Sequence, residues 1–77
     1  MAYVKNLSEI SVGERAEVKE LRSHRGIRAR LIDLGLVPET VVECVGISPS
    51  GDPRAYLIRG AVVAIRKRDA RDIIIRS

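Results

Sequence analysis

Neither phenylalanine nor tryptophan occurs in the 77 residues, and the aromatic complement is Tyr3 and Tyr56 alone. A groove that reads polyproline needs an aromatic lining, and sequence-tolerant binding of single-stranded nucleic acid needs aromatic platforms on which bases stack. Two tyrosines supply neither. Cysteine is as scarce, with Cys44 the single example, so an intrachain disulfide is excluded and Cys44 reads as a small buried hydrophobe. Small secreted domains are usually stapled by several disulfides, and the opening Met1-Ala2-Tyr3-Val4-Lys5 shows neither a long apolar stretch nor a cleavage pattern. The expected compartment is therefore the cytoplasm. The longest apolar runs, Ala61 to Ile65 and Ile73 to Ile75, fall far short of the ~20 residues that span a bilayer.

Histidine is limited to His24, which together with Cys44 makes only two residues of the types that hold structural zinc. Such a site wants about four, in closely spaced pairs. No metal ligand set is expected, beyond a weak transition-metal site at His24 with a carboxylate such as Asp33. Catalysis fails similarly: His24 and Cys44 lie on different elements, with no third group to orient a base and no oxyanion donors signalled. The chain is expected to be no enzyme, to need no cofactor and to take no small-molecule substrate.

What is present is aliphatic and basic. Apolar types make up 45% of the chain, too much for disorder, and the length allows one domain over 1–77, whose core must come from Val, Ile, Leu and Ala. Eleven arginines and three lysines against ten carboxylates leave a net charge of +4. Arg22, Arg25, Arg28 and Arg30 crowd one short stretch and Arg66-Lys67-Arg68 a second. Nucleic-acid binding through these is the alternative reading, disfavoured because dedicated modules carry a stronger basic bias.

Glycine and proline cut the chain into short segments. Arg15 to Leu21 alternates polar and apolar, the pattern of a strand with one wet face. From 24 to 34 the period changes: Ile27, Leu31 and Leu34 form the stripe of an amphipathic helix, with Ser23 as N-cap, Gly35 in the left-handed position and Pro38 beyond. Thr40 to Ile47, Ala55 to Ile58, Val62 to Ile65 and Ile73 to Ile75 read as strands, with a two-residue hairpin at Arg59-Gly60 and a polar turn over 67–72. Asp33 faces the negative end of the helix dipole, where Arg30, three residues back, is the expected compensating charge. Five strands, several apolar on both faces, and one short helix inserted after the first predict a mainly β, small closed five-stranded barrel that removes its own sheet edges.

The motifs then point further. Arg30-Leu31-Ile32-Asp33-Leu34-Gly35-Leu36-Val37-Pro38, followed by Gly51-Asp52-Pro53, then Val63-Ala64-Ile65-Arg66-Lys67-Arg68-Asp69-Ala70 and a final isoleucine strand, resembles the FeoA family from about Leu7 to Ile75. The resemblance implies an SH3-like barrel acting as a cytoplasmic accessory to an FeoB-type GTPase permease for ferrous iron, peripheral to the inner face of the membrane through that partner, with self-association left open. It also implies kinship with the C-terminal domain of diphtheria-toxin-repressor-type regulators, hence a second alternative, a metal-responsive regulatory module. The expected partner contacts are Arg28, Arg30 and Asp33 on the helix and Gly51, Asp52 and Pro53 in the turn. Turn chemistry alone also accounts for the last three. Two positions depart from the family pattern: the usual glycine after the proline is Glu39, so that turn is expected to avoid positive φ, and the usual Pro-Gly before the first strand is Val12-Gly13.

Overall fold

The structure, a computed structural model, describes residues 5–76. The opening stretch at Met1 to Val4, Tyr3 included, lies outside the described residues. Strands β1 (Arg15–Leu21), β2 (Val41–Ile47), β3 (Arg54–Ile58), β4 (Ala61–Ile65) and β5 (Ile73–Arg76) form one antiparallel sheet in the order β4-β3-β2-β1-β5. Helix α1 (Arg25–Asp33) is inserted after β1, and a single helical turn, α2 (Lys67–Ala70), precedes β5. The fold is thus mainly β with the expected insertion. Bulges between Val18 and Glu20 and between Cys44 and Gly46 break the register, and bulges of this kind bend a sheet. Among the described residues no ladder joins β4 to β5, so the sheet does not close into the edge-free barrel expected of it, and β4 keeps one unpaired edge.

Alternation builds the core. On β3, Arg54, Tyr56 and Ile58 are buried, and they meet Val18, Val42, Cys44, Ile65 and Ile73 from the other strands. Cys44 is fully buried, as a small hydrophobe would be. Below the sheet, Leu7–Glu9 form a 3-10 turn that the sequence pattern does not announce. The Asn6 side chain accepts from the Ser8 N–H at 3.0 Å and the Glu9 carboxylate accepts from the Asn6 N–H at 2.7 Å, a capping box that satisfies two donors at the start of the turn.

Helix α1 differs from expectation in its N-cap and in which leucine its C-terminal turn buries, while Gly35 takes the left-handed position expected of it. The N-cap is His24 rather than Ser23, and the His24 side chain makes no capping bond. The Ser23 hydroxyl is instead buried without a hydrogen-bond partner. At the C-terminus the Gly35 N–H donates to Ile32 O (2.9 Å) and the Leu36 N–H to Leu31 O (3.0 Å), with Gly35 at φ +101°. That is a Schellman motif, in which Leu36 turns back to pack with Leu31. Leu36 therefore takes the buried position expected of Leu34, which is 36% exposed. Ile27 packs half-buried against the core, and Leu31 is the single buried residue of α1.

Two further expectations change, at Glu39 and over 67–72, while the two-residue hairpin at Arg59-Gly60 forms as expected. Glu39 does adopt positive φ, +75°, because the Glu39 N–H donates to Val18 O (2.7 Å) while Thr40 O accepts from the Val18 N–H (2.8 Å). Docking on β1 overrides the local preference against left-handed backbone. In the β3–β4 hairpin both Arg59 (+49°) and Gly60 (+85°) have positive φ, the type I′ geometry that matches strand twist. The polar turn over 67–72 winds into α2, since the Ala70 N–H finds Arg66 O (2.9 Å) and Ala70 is fully buried.

Candidate functional site

Helix α1 crosses near the free edge of β4 and leaves a cleft of about 530 Å³ between them. Its apolar lining comes from Ile27, Leu31 and Leu34 on the helix side and Pro53, Val63 and Ile65 on the sheet side. Around it stand Arg30, Arg66 and Arg68 against the lone carboxylate of Asp69. The cleft exists because the Schellman turn sends Leu36, not Leu34, into the core, so one apolar side chain of the helical stripe stays at the surface. A second hollow, of about 540 Å³, is lined by Asp52, Arg66, Lys67, Arg68 and Arg71.

The residues expected to touch a partner are thereby divided. Arg30 and Pro53, twenty-three positions apart, line one cleft. Arg28 is exposed on the same helix but does not line it. Asp33 is exposed, and among the described residues no ion pair joins it to Arg30, so the expected charge compensation is not made through a salt bridge. Gly51, at φ +91°, forms the loop tip. Asp52 serves the fold directly, because its Oδ1 accepts from the Lys67 N–H at 2.9 Å and so caps the start of α2 from the neighbouring hairpin. The Asp52–Pro53 peptide bond is cis.

Two buried polar residues carry no sequence signal of their own, and both organise the base of the barrel. Arg54 is 8% exposed, its Nη2 donating to Ile10 O at 2.7 Å and its Nη1 to Ser8 O. The Tyr56 hydroxyl donates to Leu7 O at 3.2 Å, and burial holds its phenol above the ordinary range. The period-two spacing of Arg54, Tyr56 and Ile58 is the one available hint, since it places the arginine on the same face as two core residues. Arg59 plays a similar part outside the core: its Nε donates to Gly35 O and its Nη2 to Thr40 Oγ1, each at 3.4 Å. A Cβ at Gly35 would lie 2.8 Å from Cδ of the exposed Arg59 side chain, which would have to move aside, whereas the φ of +101° itself calls for glycine.

Among the described residues no group of three or more His, Cys, Asp or Glu side chains could hold a metal ion, and no helix is long and apolar enough to cross a membrane. The family model for the FeoA domain matches residues 5–77. The chain belongs to the FeoA family. The FeoA protein of Chlorobium tepidum superposes with a TM-score of 0.89 at 33% identity, over 94% of this chain and 69% of that one. An FeoA-like protein of Clostridium acetobutylicum gives 0.86 at 29% identity, over 99% and 88%. Iron(II) transport protein A of Clostridium thermocellum gives 0.89 at 30% identity, over 94% of this chain and 44% of its own. No curated protein matches the chain. FeoA proteins are small accessory domains associated with ferrous iron transport, and the SH3-like expectation for the sheet agrees with these neighbours.

Proposed function

We propose that this FeoA-family chain acts as one unit over 1–77, a non-catalytic cytoplasmic accessory that binds the cytoplasmic part of an FeoB-type GTPase permease. It modulates ferrous iron uptake without carrying the iron and sits at the inner face of the membrane through that partner. The observation that carries this reading is the cleft between α1 and β4, in which an apolar floor is ringed by three arginines. An apolar centre with a charged rim is the anatomy of a recognition surface, the centre supplying affinity and the rim steering and register. Arg30 is exposed on that rim, so Arg30→Glu should leave stability within about 0.5 kcal/mol. The same change should weaken binding to the permease's cytoplasmic region by about tenfold, measured by calorimetric titration. Absence of any complex with the full-length permease, together with unimpaired iron uptake in a deletion strain, would overturn the proposal. Equal loss of folding and binding would assign Arg30 to structure.

The hollow lined by Arg66, Lys67, Arg68 and Arg71 favours a second reading, nucleic-acid binding. Phosphate-dominated affinity falls steeply with salt, so failure to shift any oligonucleotide at about 50 mM salt eliminates it.

A further inference from the structure

Edge strands in natural sheets are protected by charges, proline, bulges or a covering element, because an unpaired row of N–H and C=O groups invites another strand. Among the described residues β4 has no charge, proline or bulge, and α1 stands beside its edge across a cleft without hydrogen-bonding to it. The strand's sequence, Ala61-Val62-Val63-Ala64-Ile65, is wholly apolar, it pairs with β3 in unbroken register, and Val62 is 65% exposed. Among the described residues no backbone hydrogen bond reaches β4 from outside the sheet. The cleft under α1 runs beside this strand, so an added strand could pair with β4 while placing alternate side chains against Ile27, Leu31 and Leu34.

Charge selects the occupant. β4 is flanked by Arg59 before it and Arg66-Lys67-Arg68 after it. Two copies pairing antiparallel through β4 would set Arg59 of each against the basic triplet of the other, which is repulsion at both ends. An acidic segment meets the opposite field, with Arg30 adding to it across the cleft and Asp69 the single carboxylate of the lining that opposes it.

We propose that β4 is the docking edge for an extended acidic segment of a partner protein, added as a further antiparallel strand with its apolar side chains in the α1–β4 cleft. The proposal deepens the partner-binding reading and rests on it. Main-chain bonds give such a complex its affinity and the side-chain pocket its specificity.

The test uses the full chain, isotope-labelled, and a synthetic peptide with an alternating valine–threonine centre and two glutamates at each end. Binding should slow amide exchange in β4 and shift the signals of Ile27 and Leu31. An added strand pairs through only every second N–H, so N-methylation at one set of alternate residues should abolish binding and at the other set leave it. Arg66→Glu with Arg68→Glu should weaken the acidic peptide by about tenfold or more, and a lysine-flanked peptide should recover affinity for that variant. Equal binding of both N-methylated peptides, or no response at about 1 mM peptide, overturns the proposal. Protection of β4 that grows with protein concentration in the absence of peptide overturns it in favour of a second copy. Permease binding that leaves β4 exchange unchanged refutes the docking edge and leaves the accessory role standing. Peptide pairing without any permease complex does the reverse.

Discussion

Replacing Arg54 by methionine tests whether a buried guanidinium holds the 3-10 turn against the barrel. The side chain is 8% exposed and supplies two carbonyls, Ile10 O at 2.7 Å and Ser8 O, while no carboxylate lies within ion-pair distance among the described residues. Each carbonyl left without a donor costs about 1 to 3 kcal/mol, but Ser8 is half-buried and water can reach it, so the full cost falls on Ile10 alone. Against this, methionine is relieved of the desolvation that a lone buried cation suffers and adds apolar burial, worth about 1 kcal/mol in return. The expected loss is about 1 kcal/mol, and for a domain of this size that lowers the Tm by roughly 4 to 8 °C. Urea unfolding followed by circular dichroism measures it. Arg54→Lys, able to serve one carbonyl, should fall between the two. A loss under about 0.5 kcal/mol for the methionine variant would show that guanidinium desolvation cancels both hydrogen bonds, and Arg54 would then have no part in holding the barrel base.

The helix stripe separates cleanly by mutation: Leu31→Ala should cost about 2 to 3 kcal/mol, the low end for buried leucine because the cleft can collapse onto the gap, whereas Leu34→Ala should cost under about 1 kcal/mol. Equal costs in chemical denaturation would refute the Schellman assignment. Glu39→Gly should raise stability by several tenths to about 1 kcal/mol, since φ +75° is strained for glutamate and free for glycine; a decrease in the urea midpoint would contradict it. The Tyr56 phenol, raised by burial above its ordinary 10.0, prefers its protonated form in the folded state. Its contribution is complete below pH 10 and is lost as pH rises through the folded value, so alkaline titration should unfold the protein, and Tyr56→Phe should flatten that limb while lowering neutral stability by about 1 kcal/mol.

Where backbone pattern decides structure, the sequence is easily read. Period two locates β1, apolar and β-branched runs bounded by turn residues locate the other four strands, and the Leu34-Gly35 step announces the helix end because glycine suits the left-handed residue there. Expectation and structure part where a distant group intervenes. The 3-10 turn is held by Arg54 and Tyr56, 46 and 49 positions away from their carbonyl partners, and no local pattern in 7–9 encodes that. Glu39 is forced to positive φ by its bonds to β1, and α2 is capped by Asp52, fifteen positions upstream. The site is half legible for the same reason. Arginine clusters and the Gly-Asp-Pro turn mark surface chemistry in the sequence, but only the chain path brings Arg30 to Pro53 and leaves Arg28 and Asp33 aside.

The cleft and the free edge have one physical origin. A chain of this length has limited apolar surface to bury, and here the strands and the 3-10 turn supply nearly all of the core while α1 contributes Leu31 alone. A helix with a single buried residue cannot be held by packing along its length. It is held at its C-terminal end, by the Leu31–Leu36 contact of the Schellman turn and by the Arg59 bridge to Gly35 and Thr40. That attachment leaves Ile27 and Leu34 half served, with an apolar edge strand facing them. Segments with few buried contacts are those that open at least cost, and binding sites are drawn from them. With α1 tethered at one end beside that strand, an apolar side chain entering the proposed α1–β4 docking cleft would complete packing that the described residues leave unfinished.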